Sequence, residues 1–548
     1  MTLQTLILPD NLIEPLYIKE LDELRREVEI KRDGGTASLS RGTVYSFGTF
    51  YNAFVPSKWL RLTPVKDITV VIRATGKLRI QIFNATGVYD VAGGVRHSAK
   101  CEIDAKVIVR KKKDYIEYIA ELTKADYDGI IYPVIEALED CTIIGGAYIT
   151  PTPVDARKVR PVAVLNYNKD AKVTQRNIDT IRSFDGMDIP VVVCDMTGNL
   201  AENTFSATGG RVPCRAGVNE VNIVKKDATR NPSPCRGACA NMAFDFIKEN
   251  YGDRTHAVMI DNNVELSAHS IERLLRFLMA VDNFREDIIV QGDVLGATGG
   301  RVPRRAGVNE VNIVKKDATR NPSPCRIIDG SGYVDRPTKQ IKRFSDFDMN
   351  ETDDVVALLS DEEIDYFKWG LICMPLDGSR FNRMIRSSVE LNYYLKYKPL
   401  DMINLNGFAG DKVGKAEEPI VERYYYKYRD DAIASIDTDL ELGKIPFRNY
   451  IDGEFKREVS AGNIELAWTI IDAINDFLWG PEILEATART EQRISDLSKK
   501  LNESIFKRKG AVKDRIRLEQ EYSKLYQRID AKYDMIVEKW RETINERQ

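Results

Sequence analysis

Along the first third of the chain, apolar and polar positions alternate with a period of two. Leu78, Ile80 and Ile82 alternate with Arg79 and Gln81, and residues 68–72 form a second strand-like run just before A-T-G-K. This pattern predicts a hairpin through A-T-G-K, and one side of a β-sandwich or barrel across residues 1 to about 155. The prolines and charges of P-T-P-V-D-A-R-K-V-R-P (151–161) then mark a boundary. From Val162 the pattern changes to buried apolar runs separated by helical periodicity, as expected of a β/α domain. P-V-A-V-L leads into a polar loop, 177–184 reads as a helix, and I-P-V-V-V-C-D ends in Asp195. The run 257–260 ends abruptly at Asp261 between helical patterns at 240–251 and 270–281. We therefore expect a mainly parallel sheet over about 158–405, with Asp261 at the carboxyl end of a central strand, where open α/β sheets place their chemistry. The last part is helical: 464–478 is an apolar-rich helix. Beyond it Ile494, Leu497, Leu501 and Ile505, then residues from Leu518 to Ile544, keep three-four spacing, which predicts an amphipathic helical hairpin suited to packing or oligomerisation.

The expected architecture is thus an α/β protein in three parts. These are a β-rich domain over 1–155, a Rossmann-like domain over 156–415 and a helical domain over 416–548. A length of 548 residues agrees with several cores rather than one.

Composition narrows the function. The net charge of -3, from 80 basic and 83 acidic residues, gives no general reason to expect nucleic-acid binding. No apolar run is long enough to span a bilayer and the start lacks a basic n-region, so the expectation is a cytoplasmic protein. Any membrane contact would be peripheral and local, with Lys507–Lys509 as one basic patch, although a solvated face is the default. Eight cysteines lack paired C-x-x-C spacing and read as incidental thiols. The only histidines are His97, His256 and His269.

Candidate chemistry concentrates at D-N-N (261–263), which carries a carboxylate and two amides to a sheet edge. Asp195, followed by Thr197 and Gly198, suits nucleotide recognition, and capping of the next helix accounts for it equally well. The aromatic line F-G-T-F-Y-N-A-F-V-P-S-K-W-L-R-L-T (47–63) reads as core more readily than as a sugar platform, as does Trp369 in D-Y-F-K-W-G. The tyrosines of 424–428 cover more than one helical face and are expected to be partly core.

Residues 207–236 recur at 297–326 with only Cys214 changed to Arg304. Structural repeats keep periodicity while their sequences drift. A near-verbatim copy therefore points to a recent duplication or a sequence error, with error favoured. The second copy is the expected intruder, because the first flows into a helix.

Taken in order, several motifs resemble bacterial galactofuranosyltransferases of the inverting, family 2 type, which extend cell-envelope polysaccharides; rhamnosyltransferases share the plan. The motifs are F-Y-N-A-F-V-P-S-K-W-L-R-L-T, N-Y-N-K (166–169), the strand ending at Asp195 and N-P-S-P-C-R-G-A-C-A (231–240). They continue with D-N-N, Trp369, M-I-R-S-S-V-E (384–390) and D-F-L-W-G-P (476–481). The resemblance implies a central nucleotide-sugar transferase domain of the GT-A class, an N-terminal β-domain and a C-terminal helical domain. It further implies a UDP-sugar donor, a glycan or lipid-linked glycan acceptor, a divalent metal (Mn or Mg) and a homo-oligomer.

By the same resemblance, Lys169, Asp195, Asn231 and Asn262 belong beside the donor, and Asp261 and Asn263 at the metal positions. Trp369 belongs at the acceptor. Ser387 and Ser388 stand where the family has two aspartates, the second of them the general base, and Glu390 is the nearby substitute. The family's metal-binding histidine would fall at 410–412, where this chain has Gly410, Asp411 and Lys412. An amide brings no charge to a metal, and serine is no base at neutral pH without a partner. The expected metal binding is therefore weak, and the alternative functional reading is a catalytically impaired nucleotide-sugar or glycan binder.

Overall fold

A computed structural model describes residues 1–150 apart from 9–17, 21–35, 61, 92–94 and 123–127. It describes 151–295 apart from 152–158, 168–169, 185–188, 196–199, 201–220, 226–235, 253 and 282–287. Beyond that it covers 355–356, 359, 370–376, 401–413, 420–436, 444–481, 492–499 and 511–547.

The N-terminal part contains strands β1 (Thr2–Thr5), β2 (Lys19–Glu20), β3 (Ala37–Leu39) and β4 (Val44–Ser46), then a short helix α1 (Pro56–Leu60). After it come β5 (Ile68–Ala74), β6 (Leu78–Val91), β7 (Val95–Ile103), β8 (Lys106–Lys111), β9 (Ile116–Leu122), β10 (Ile130–Ala137) and β11 (Cys141–Ile149). One sheet runs β1-β11-β5-β9-β8 with β3 also on β11, and the other runs β2-β4-β10-β6-β7, all antiparallel. This is a sandwich, and its alternation is as expected: Leu78, Ile80 and Ile82 are buried while Arg79 and Gln81 face outward. The hairpin through A-T-G-K is not formed, because β5 and β6 belong to different sheets. Tyr118 holds the corner, its hydroxyl donating to the Gly76 carbonyl (3.1 Å) and accepting from the Leu78 amide (2.8 Å). Opposite the turn, the Lys77 amide donates to Glu139 Oε1. These long-range bonds outweigh the local hairpin preference. The aromatic line is core: Phe47, Phe50, Tyr51, Phe54 and Trp59 are all buried.

The central part contains β12 (Pro161–Tyr167), α2 (Ala171–Arg182), β13 (Val191–Asp195), β14 (Val221–Lys225), α3 (Arg236–Asn250), β15 (His256–Ile260), β16 (Val264–Leu266), α4 (Ser270–Ala280), β17 (Ile288–Leu295), β18 (Leu371–Pro375) and β19 (Asp401–Lys412). Their order is β14-β13-β12-β15-β18-β17-β19-β16. The four strands from β14 to β15 are mutually parallel, whereas β18 is antiparallel to both neighbours and β16 is antiparallel to β19. The expected mainly parallel sheet is therefore mixed. The wholly buried run of β18, L-I-C-M-P, has no periodicity by which the sequence could reveal its direction. Helix α2 starts at Ala171, earlier than the expected 177, because the Asp170 side chain caps it by accepting from the Lys172 and Val173 amides. Of the duplicated segment, the first copy supplies β14, in register with β13. The second copy lies outside the described residues.

The C-terminal part is a bundle of α5 (Ile420–Ile436), α6 (Lys444–Ser460), α7 (Ile464–Trp479) and α8 (Ala511–Arg547) with its own core. Helix α8 lays Leu518, Leu525, Ile529, Tyr533 and Trp540 into this core, where Ile494 and Leu497 are also buried, and the Trp540 indole donates to the Phe477 carbonyl. Tyr425, Tyr426 and Tyr428 are buried there, as the helical spacing predicts. Lys507–Lys509 lie outside the described residues.

The first two parts share a buried seam. Between β17 and β19 the register jumps from Gln291 opposite Asn404 to Asp293 opposite Ala409, so Leu405–Phe408 bulge out. From the bulge Asn406 Nδ2 donates to the Ala53 carbonyl (2.9 Å). Gly407, at φ +83°, lies against Arg273, where a Cβ would come within 3.1 Å of the guanidinium carbon. Arg273 in turn donates from Nη2 to the Thr5 and Tyr51 carbonyls, both at 3.1 Å, and Trp59 meets Phe277 edge to face.

Candidate functional site

In this sheet the chain order turns around between β12 and β15. The chain runs outward from β12 through β13 to β14, then returns to β15 on the other side of β12. Loops leaving the carboxyl ends of those two strands must diverge, and the crevice between them is the general ligand position of open α/β sheets. The residues that project there follow from register. Leu165 pairs with Ile260, so Asn166 and Asp261 are the next residues of the two strands. Asp195 ends β13, two strands from β15, roughly 10 Å at ~4.8 Å per strand.

The D-N-N turn is fixed by its backbone. The Asp261 amide donates to the Gly370 carbonyl (2.8 Å), its carbonyl accepts from Val264 (3.1 Å), and the Asn263 carbonyl accepts from Val413 (2.8 Å). Asp261 is buried, while Asn262 and Asn263 are half-buried. The turn continues directly into β16, which pairs with the end of β19 so that Glu265 faces Asp411. Positions 410–412 thus do lie alongside the D-N-N segment, and they carry no imidazole. The side chains of His256 and His269 are placed away from this edge: His256 begins β15 at its opposite end, and His269 sits before α4 bonded to Glu272.

A side chain that the sequence reading passed over holds this turn. Buried Asn177 of α2 donates from Nδ2 to the Val264 carbonyl (2.7 Å) and accepts at Oδ1 from the Leu266 amide (2.8 Å), acting as a neighbouring strand would. Beside it Arg176 pairs with Glu265 at 2.6 Å. The available signal was an asparagine four residues after Val173 on the apolar face of α2, where a polar side chain needs partners.

The Asp195 carboxylate spends Oδ2 on the Leu200 amide (2.7 Å), closing the loop after β13. The bond serves a loop amide, the next element among the described residues being the strand β14, and it orients the carboxylate at the sheet edge. Asn166, also buried, has no hydrogen-bond partner for Oδ1 among the described residues. Lys169, Asn231, Trp369, Ser388 and Glu390 lie outside the described residues, although Gly370, which follows Trp369 in sequence, bonds to Asp261. Among the described residues no group of three His, Cys, Asp or Glu side chains could hold a metal. Asp261 with Asn263 offers one charged ligand and one neutral one, too few for a metal site built of protein alone.

The order of strands, four parallel ones followed by the reversed β18 beside the strand that delivers Asp261, is that of a mixed, Rossmann-like α/β sheet. Residues 3–151 match the family model described as galactofuranosyltransferase 2 N-terminal. No curated protein sequence matches. Solved structures that align include S. aureus TarS 1-349 (14% identity, 63% of this chain and 91% of that one, TM-score 0.30). The same protein in complex with UDP-GlcNAc gives 15% identity over 63% of this chain and 91% of that one, TM-score 0.31. The mannosyltransferase PcManGT from Pyrobaculum calidifontis, in complex with GDP-Man and Mn2+, gives 11% over 70% of this chain and 90% of that one, TM-score 0.29. Superpositions this loose carry no argument, and the fold assignment rests on strand order and register.

Proposed function

We propose that this protein is an inverting glycosyltransferase that moves galactofuranose, or a related sugar, from a UDP-sugar to a cell-envelope glycan acceptor. The observation that carries the reading is the joint placement of Asn166, Asp195 and the D-N-N turn at the switch point of the sheet, behind a galactofuranosyltransferase-type N-terminal domain. In this reading Asp195 and Asn231 hold the uridine, with Lys169 and Asn262 beside the diphosphate. Asp261 and Asn263 would hold a divalent ion whose remaining ligands come from the donor, which limits its affinity. Such an ion supplies charge neutralisation for the departing diphosphate. Asn177 keeps the turn in place, so that Asp261 meets the donor without reorganising. Trp369 is assigned to the acceptor, and Glu390 beside Ser388 to removal of the acceptor proton.

A second reading, a binder of nucleotide sugar with little turnover, is favoured by the single carboxylate at the turn. UDP release measured against a panel of UDP- and dTDP-sugars with Mn2+, Mg2+ or EDTA separates the two. The transferase reading expects metal-dependent release with UDP-galactofuranose. It also expects Ser388→Asp together with Asn263→Asp to raise turnover about a hundred- to ten-thousandfold, more than either alone. Tight UDP-sugar binding without release in any variant would favour the binder, and absence of both would overturn the site.

A further inference from the structure

The β8 edge of the N-terminal sandwich has a composition that the site does not use. Strand β8 and the turn after it read K-V-I-V-R-K-K-K-D, five cations against one acid in a chain whose net charge is -3. Among the described residues β8 pairs only with β9, four strand spacings from β1, roughly 19 Å. Lysines on an edge strand ordinarily keep it from pairing with other chains, which accounts for Lys106 and Arg110, set opposite Glu121 and Glu117. It does not account for Lys111, Lys112 and Lys113. These three stand in a row at the hairpin tip, closed by the Lys112 amide on the Tyr115 carbonyl, and all are exposed.

Nor does it account for the valines. Val107 and Val109 sit opposite Ala120 and Tyr118, on the side of the strand that should be core, yet they are 39% and 54% exposed. The two sheets gape at this edge. A cleft of about 260 Å³ opens beside Val107, lined by Ile80, Ile82 and Ile103 together with the polar Gln81, Glu102 and Asp104. The exposed valines beside the cationic tip Lys111–Lys113 complement an interface that is apolar beneath and anionic on top, whereas the acids Glu102 and Asp104 keep the cleft itself polar.

We propose that the β8–β9 hairpin is the surface by which this protein docks on a bilayer of anionic phospholipid, with Val107 and Val109 meeting the acyl boundary and Lys111–Lys113 the headgroups. Such a cluster binds through additive contributions of about fivefold per cation, which salt screens. The mode of attachment is independent of whether the sheet beyond is an active transferase.

The test is co-sedimentation of the full chain with vesicles of phosphatidylcholine alone or mixed with phosphatidylglycerol, alongside a single-stranded oligonucleotide as competing polyanion. The wild type should sediment with the anionic vesicles and not the neutral ones. Lys111→Gln, Lys112→Gln and Lys113→Gln together should weaken this about a hundredfold. Val107→Ser with Val109→Ser should abolish whatever binding survives at about 0.5 M salt. Circular dichroism of each variant should match the wild type. Equal sedimentation with neutral vesicles, undiminished binding by the triple-lysine variant, or tighter binding to the oligonucleotide than to the vesicles would each overturn the proposal.

Discussion

The first sheet of the sandwich has two edges built from the same strand geometry and put to opposite uses. At the β1 edge, α4 closes over the strand, and charge is taken inside. Arg273 is buried, and its guanidinium is pulled down to about 10 by desolvation while it donates to two carbonyls of the N-terminal part. At the β8 edge the charges stay in water and it is apolar side chains that are left uncovered. A buried cation is tolerated when fixed acceptors replace its water, and it then specifies one docking geometry. An exposed cationic row specifies nothing about the chain's own fold. The β1 edge is therefore internal architecture, and the β8 edge is available to something else.

The sharpest way to break this comparison is Arg273→Ala. It strands the Thr5 and Tyr51 carbonyls and leaves a void against Gly407, so urea unfolding should show a loss of about 3 kcal/mol or more. A loss under about 1 kcal/mol would mean that the seam is held elsewhere. Next in size is Asn177→Ala, where one buried acceptor and one buried donor lose their partner. We expect about 2 kcal/mol, with slower hydrogen exchange protection lost first at Leu266; unchanged protection there would show that β16 stands without α2.

A pH test sharpens the β1 side further. Glu272 accepts from His269, Arg276 and Thr5, and the His269 bond foremost holds its carboxyl down to about 2 against the opposing effect of burial. Its folded pKa lies below the unfolded one, so the stability it contributes is fully present above about pH 4.5 and is lost as pH falls towards about 2. Glu272→Gln should remove that component of the acid transition, which a melt series between pH 5 and 2 would register. The smallest effect is expected at the other edge. The triple Lys→Gln variant of 111, 112 and 113 should stay within about 0.5 kcal/mol of wild type in urea, since no fold contact depends on those side chains. A larger change would make the β8 hairpin part of the architecture after all.

Much of this was legible beforehand where one local pattern had a single physical solution. The alternation of Leu78, Ile80 and Ile82 could only bury one face of β6, and the unbroken run before Asp261 could only be an inner strand ending at a sheet edge. The spacing from Leu518 to Trp540 required one apolar helix face. The positions of Asp195 and Asp261 at strand ends were readable for the same reason, since a carboxylate directly after a buried strand is placed by the strand itself. The resemblance added the remaining site residues by position, and of these Asn262 and Asn263 are among the described residues.

What only the tertiary structure decided are choices between partners that are distant in sequence. A-T-G-K satisfies a hairpin locally, but Tyr118 and Glu139 turn it into a corner between sheets. Nothing in L-I-C-M-P states a direction, which is set by the strands on either side. Asn177 is an ordinary helix residue until Val264 and Leu266, almost ninety positions on, supply its bonds. Leu405–Phe408 form a bulge only because Arg273 and Ala53 meet them there. Periodicity and capping are carried by neighbours in the chain, so sequence determines them. Register, strand direction and the satisfaction of buried polar groups depend on which segments meet, and that is decided only when the whole core closes.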